Sequence, residues 1–163
     1  MKILVCVKQV PDPESAFELE NEKDHLRVTG NIKYFMNHPD ECALEEAIRI
    51  KETEPDTTVD AITAGPERAY QVLERAIGVG ADKAIHLLMP SEDVVPPFSI
   101  ASFIADYAGN EDYDLILTGI MSDDAMQGQV GPMLAERLSL PCVTSVVLEE
   151  IGPDKRSAYV ERE

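Results

Sequence analysis

The sequence predicts an α/β domain of three layers, with a mostly parallel sheet of about five strands flanked by helices. Three observations carry that prediction. Short apolar runs alternate with amphipathic segments from one end of the chain to the other, the pattern of parallel strands joined by right-handed crossovers. The first run, "KILVCVKQV", is mostly apolar and rich in β-branched residues, as expected of a strand buried on both faces. The chain has 163 residues, 44% hydrophobic and 28% charged, which suits one domain with a sizeable core. Residues 1–163 are therefore read as a single domain.

Each element follows from its own stretch of chain. After the first strand, "PDPESAFELENEKDHLRVTGNIKYFMN" is polar and opened by two prolines. It is longer than most connections and so reads as an excursion with a function, in which "HLRVTG" is a short strand ending in a turn. "HPDECALEEAIRIKET" reads as a helix with Asp40 as N-cap. Its apolar face is Ala43, Leu44, Ala47, Ile48 and Ile50, and Glu45 stands four residues before Arg49, where the two can pair. "TVDAITAG" is the second strand. "PERAYQVLERAIGVGA" is the second helix, with Pro66 early and glycines near its end. "KAIHLLM", the helix "PPFSIASFIADYAG", "YDLILTG" and the helix "GPMLAERLSL" follow. "PCVTSVVLEE" is a fifth strand and "SAYVERE" begins a sixth. In such sheets ligands bind beyond the carboxyl ends of the strands, at the switch in strand order. "VCVKQV", "ITAG" and "LTGIMSDD" are the strand ends suited to that role.

Composition excludes several classes of function. With 14 Lys+Arg against 31 Asp+Glu the formal net charge is -17, which opposes nonspecific contact with nucleic acid and docking on anionic lipid. No stretch reaches the roughly 18 apolar residues a membrane helix needs, so no membrane insertion is expected. "MKILVCVKQV" is too short for a signal peptide and lacks a small-residue cleavage site. Cys6, Cys42 and Cys142 are odd in number and far apart, which fits reduced thiols and a cytoplasmic location. His25, His38 and His86 have no metal-ligand spacing.

The stretch "GIMSDDAMQGQVGP", residues 119–132, is the first candidate site. It follows a strand and carries two glycines near a helix start, where unpaired N–H groups and the positive end of the helix dipole can hold a phosphate without a basic side chain. Gly128 permits close backbone approach, and Ser122, Gln127 and Gln129 add donors. The alternative is a polar turn in which Asp124 and Gln129 satisfy local backbone groups. The stretch matches neither the Gly-Lys-Ser/Thr phosphate loop nor the dinucleotide fingerprint. "MNHPDE" is the second candidate: Asn37 and Asp40 cap the helix, or Asn37 or backbone groups meet an adenine or ribose. Lys8, past the first strand, either faces an anionic ligand or is solvated. Cys6 reads better as a packed residue than as a reactive thiol. The pairs Glu45/Glu46 and Glu149/Glu150 read as solvated faces. No catalytic nucleophile or general base stands out.

Taken in order, "MKILVCVKQVPD", "MNHPDECALEEAIRIKE", "GVGADKAIHL", "YDLILTG" and "GQVGPMLAERLSLPCVTSV" resemble the β subunit of electron transfer flavoprotein. The resemblance spans almost the whole chain. It implies a Rossmann-like (adenine-nucleotide α-hydrolase-like) domain that pairs with an electron transfer flavoprotein α subunit. In that family the α subunit holds the redox FAD and the β subunit holds AMP or a second FAD. The pair carries electrons from flavin dehydrogenases to an acceptor oxidoreductase, so the chain would be a carrier subunit rather than a catalyst in its own right. Transferred position by position, the nucleotide contacts fall on Cys6, on Asn37, His38, Pro39 and Asp40, and on Ala64. They continue on Gly119, Ser122, Asp123, Asp124, Ala125, Met126, Gln127, Gly128, Gln129 and Val130. The N–H groups of Gln127 to Val130 would take the phosphate.

Two departures qualify the resemblance. The family loop runs roughly Gly-x-Gln-Ala-Ile-Asp-Gly-Asp-Thr-x-Gln-Val-Gly-Pro, whereas here Met121 stands where Gln is usual and Met126 where the second Asp is usual. Family members also run well beyond 163 residues, so the chain is read as a fragment or a shortened relative. Two other classes share the architecture. A stand-alone adenine-nucleotide sensor of the universal-stress kind would show a late glycine-rich loop ending in Gly-Ser. An adenylating enzyme would show a Ser-Gly-Gly loop. The sequence has neither.

Overall fold

The computed structural model describes residues 1–15, 18–22, 25–29, 31–90 and 95–163. Along the chain the elements are β1 (Lys2–Cys6), β2 (Gln9–Pro11), β3 (Glu18–Glu22), β4 (His25–Thr29), β5 (Tyr34–Met36), α1 (His38–Thr53) and β6 (Thr58–Gly65). They continue as α2 (Tyr70–Val79), entered through a 3-10 turn, then β7 (Lys83–Leu88), α3 (Pro97–Ala108), β8 (Leu115–Thr118), α4 (Val130–Leu138), β9 (Val146–Ile151) and β10 (Ala158–Arg162). The central sheet is parallel, with the order β7-β6-β1-β8.

Strand β1 lies at the centre because its apolar run can be buried on both faces. Ile3 and Val5 pack with Leu44, Ala47 and Ile50 of α1 and with Val72, Leu73 and Ala76 of α2. Leu4 and Cys6, pointing the other way, pack with Ala101, Ile104 and Ala105 of α3 and Leu134 of α4. The period-two alternation of side chains thus sorts one strand between two helical layers. The chain runs outward from β1 through β6 to β7, then returns to lay β8 on the opposite side of β1. The strand order therefore reverses between β1 and β8, and a crevice opens beyond their carboxyl ends.

The structure refines several sequence expectations. Among the described residues the central sheet has four strands, where about five were expected. β9 pairs antiparallel with β10 in a separate hairpin. The reason is local: "IGPDKRS" closes a turn in which Gly152 N–H donates to Ser157 O at 2.8 Å and Asp154 Oδ1 accepts from Ser157 Oγ at 2.8 Å. A short turn returns the chain antiparallel, whereas a parallel partner needs a long crossover. The polar excursion forms two antiparallel pairs, β2 with β5 and β3 with β4. The "HLRVTG" strand is β4, and its closing turn at Gly30 lies outside the described residues.

Helix α1 begins at His38, so Asn37 takes the N-cap position and Asp40 lies within the first turn. Pro39 explains the offset, because a residue without an N–H fits the first turn of a helix. Arg49 pairs with Glu46 at 2.9 Å, not with Glu45. Nor are the acidic pairs simply solvated. Burial and the neighbouring Glu46 push the Glu149 carboxyl up to about 7 where the hairpin meets α1. Among the described residues, no helix is long and apolar enough to cross a membrane.

Candidate functional site

The crevice is built from the ends of three adjacent strands. Cys6 ends β1, level with Ile62 of β6 and Thr118 of β8. Ala64 lies two residues beyond Ile62, and Gly119 follows Thr118. The start of α1 approaches the same edge. There Asp40, only 7% exposed, joins the two strands on either side of the switch: its Oδ2 accepts Lys8 N–H at 2.8 Å and its Oδ1 accepts Gly119 N–H at 3.0 Å. A carboxylate thus continues the ladder where β1 and β8 diverge.

Burial pushes the Asp40 carboxyl up to about 6, and the hydrogen bonds from Lys8 and Gly119 only partly oppose that rise. The same buried charge, after desolvation, helps push the Cys6 thiol up to about 12, which leaves it protonated and unreactive at neutral pH.

A pH dependence follows. The folded chain keeps the Asp40 proton to higher pH than the unfolded chain does. The stabilisation is therefore complete below the ordinary carboxylate range and lost as pH rises through about 6. Between pH 5 and 7.5, above the pI of about 4.4, the wild type should lose about 1–2 kcal/mol relative to Asp40→Asn. Paired urea denaturations measure this. A wild-type stability that stays constant or rises with pH relative to Asp40→Asn contradicts it.

The loop after β8 is fastened from below. Asn37, 1% exposed, accepts Asp123 N–H at 2.9 Å through Oδ1 and donates from Nδ2 to Met121 O at 2.8 Å. Its own N–H donates to Lys8 O at 2.8 Å. Asp123 Oδ2 accepts the His38 N–H, the first donor of α1, at 3.3 Å. Lys8 Nζ reaches across to both oxygens of Asp124, at 2.5 and 2.7 Å. Partial burial opposes ionisation of Asp124, and the Lys8 ammonium outweighs it, holding the carboxyl below its usual range. Met126 N–H closes a turn onto Ser122 O at 2.7 Å, with Met126 at φ 51°.

Helix α4 then starts at Val130, with no side-chain cap at Gln129. Among the described residues, none accepts a hydrogen bond from the N–H groups of Gln127, Gly128, Gln129 or Val130. Residues 123–129 are exposed. Four successive donors without a protein acceptor therefore stand at the positive end of a helix. A phosphate fits such a set through backbone contacts alone. The acidic side chains of the loop do not oppose it, since Asp124 is neutralised by Lys8 and Asp123 lies against the start of α1.

The structure brings most of the sequence-predicted positions to one edge of the sheet, with distinct tasks. Cys6 and Ala64 form the floor at two strand ends. The side chains of Asn37 and Asp40 are occupied by backbone groups of the loop and of the diverging strands. His38 and Pro39 form the first turn of α1, and His38 is exposed. Ser122 to Ala125 make the turn, and Gln127 to Val130 supply free donors. Sequence reasoning missed the Lys8–Asp124 pair and the Asp40 bridge. Lys8 stood out only as a cation near a strand end, and its partner lies 116 residues away, a separation no local pattern reveals.

The family model described as "Electron transfer flavoprotein domain" matches residues 27–163. The chain is 35% identical to the electron transfer flavoprotein subunit beta of Bacillus subtilis over 93% of its own length and 58% of that protein's. It is 35% identical to the subunit of the same name in Dictyostelium discoideum, over all of this chain and 63% of that one. It is 33% identical to the caffeyl-CoA reductase-Etf complex subunit CarD of Acetobacterium woodii, over all of this chain and 61% of that protein. The chain thus spans about three fifths of the length of the curated relatives it matches.

Proposed function

The chain belongs to the electron transfer flavoprotein domain family, and on that premise we propose that it is the β-type subunit of an electron transfer flavoprotein that binds an adenine nucleotide at the β1–β8 crevice. The nucleotide is AMP, or FAD through its adenylate half. The phosphate rests on the N–H groups of Gln127 to Val130, the adenosine end lies over the strand ends at Cys6 and Ala64, and Asn37 and Asp40 hold the loop and strands in register. The observation that carries this reading is the run of unpartnered donors at the start of α4, next to the reversal in strand order.

The redox FAD is held mainly by a partner α subunit, and the pair passes electrons from flavin dehydrogenases to an acceptor oxidoreductase. The chain binds and positions, with no nucleophile or acid–base group of its own in the reaction, and it works in the cytoplasm. No observation favours a stand-alone sensor. Co-expression with an α-type neighbour tests the proposal. A stable complex with flavin absorbance is expected, and two chains that separate on a sizing column without flavin would refute it.

A further inference from the structure

The loop that offers these donors is held in an uphill conformation. Met126 sits at φ 51°, a left-handed backbone that a residue with a long side chain populates about tenfold less readily than glycine does. The side chain gains nothing there, since Met126 is 69% exposed. Something must offset the strain from outside the turn.

The fastening at hand is Lys8. Its backbone is fixed at both ends, with the N–H on Asp40 and the carbonyl accepting from Asn37. Its side chain is therefore a post rooted in the sheet. That post ends on both oxygens of Asp124, two residues before Met126. Since the ammonium is already engaged, it is poorly placed to serve a ligand phosphate directly.

We propose that Lys8 is a positioning residue for the nucleotide loop: its ion pair with Asp124 offsets the strain at Met126 and so sets the shape in which Gln127 to Val130 present their N–H groups. The inference rests on the nucleotide reading above. A half-exposed ion pair shifts an equilibrium by about fivefold at most, and binding weakens in proportion to the fraction of loop in the competent shape.

Titration calorimetry of the chain with AMP and with adenosine provides the test, alongside hydrogen exchange of the loop amides. Lys8→Met and Asp124→Asn should each weaken AMP by up to about fivefold and leave adenosine, which brings no phosphate to these N–H groups, unchanged. Each should also speed exchange of the Asp123 and Met126 amides, the hydrogen-bonded ones of this loop. Adding Met126→Gly to Lys8→Met should restore both measurements, because it removes the strain the pair offsets. An equal loss for adenosine would mean that the variants disturb the strand ends rather than the phosphate donors, failure of Met126→Gly to restore AMP affinity would mean that Lys8 contacts phosphate itself, and tighter AMP binding by Asp124→Asn would mean that Asp124 competes with it; any of these overturns the proposal. So does failure of Met126→Gly to restore exchange protection. If no variant binds a nucleotide while the exchange pattern holds, the nucleotide reading fails and the role of Lys8 in shaping the loop stands.

Discussion

Gly128→Val is expected to remove nucleotide binding. A Cβ at this position would lie 2.5 Å from Ile120 O, well inside van der Waals contact. The obstacle is space, not backbone conformation: among the described glycines only Gly80 has a positive φ. Because the neighbour is a main-chain carbonyl, the clash cannot be relieved by rotating a side chain, and the loop must open. Opening displaces the N–H groups of Gln127 to Val130 proposed to hold the phosphate. Hydrogen bonds to a charged group contribute about 1.5–3 kcal/mol each, so losing two of them weakens AMP binding on the order of 100-fold or more. Residue 128 is exposed and outside the core, so the fold should lose no more than about 1 kcal/mol. Calorimetry with AMP and urea denaturation measure the two effects separately. Unchanged AMP affinity refutes the placement of the phosphate.

Gly119→Ala is expected to destabilise the fold itself by about 2–4 kcal/mol. Its Cβ would lie 2.3 Å from Asp40 Oδ1, 2.8 Å from Asp40 N and 2.8 Å from Pro39 C. Two of these atoms are backbone in the first turn of α1, so the helix start must move away from β8. That movement breaks the bond from Gly119 N–H to Asp40 and leaves the buried Asp40 carboxylate short of a donor. The glycine is thus required by the contact between a strand end and a helix start, and phosphate approach places no separate demand on it. Urea denaturation of the variant reads the effect. A midpoint within experimental error of the wild type contradicts the Asp40 bridge as a stabilising contact.

Much of this architecture was legible in the sequence because it is local. The apolar run of β1 and the period of α1 each specify an element within a few residues, and the alternation of elements specifies the parallel sheet. The placement of β9 was not legible. Its run of Val146, Val147 and Leu148 suits a buried central strand, but the turn that follows returns the chain antiparallel. These three residues stay exposed. At the site, the loop and its glycines were visible as a strand-to-helix connection with free donors. The division of labour within it was not. Asn37 and Asp40 are polar residues at a helix start, and the sequence alone favours reading them as caps over ligand contacts. Only the fold shows that their side chains meet Met121, Asp123 and Gly119, more than 75 residues away. The same holds for Met126. The sequence marks it as a lost polar side chain, while the backbone marks it as a strained one.

The most direct test of an adenine nucleotide at the β1–β8 crevice is to count nucleotides released from the denatured complex of this chain with its α-type partner, by mass spectrometry. One FAD with one AMP, or two FAD, per pair of chains is expected. A complex that releases one FAD and no second nucleotide, even after incubation with AMP, contradicts the proposed site.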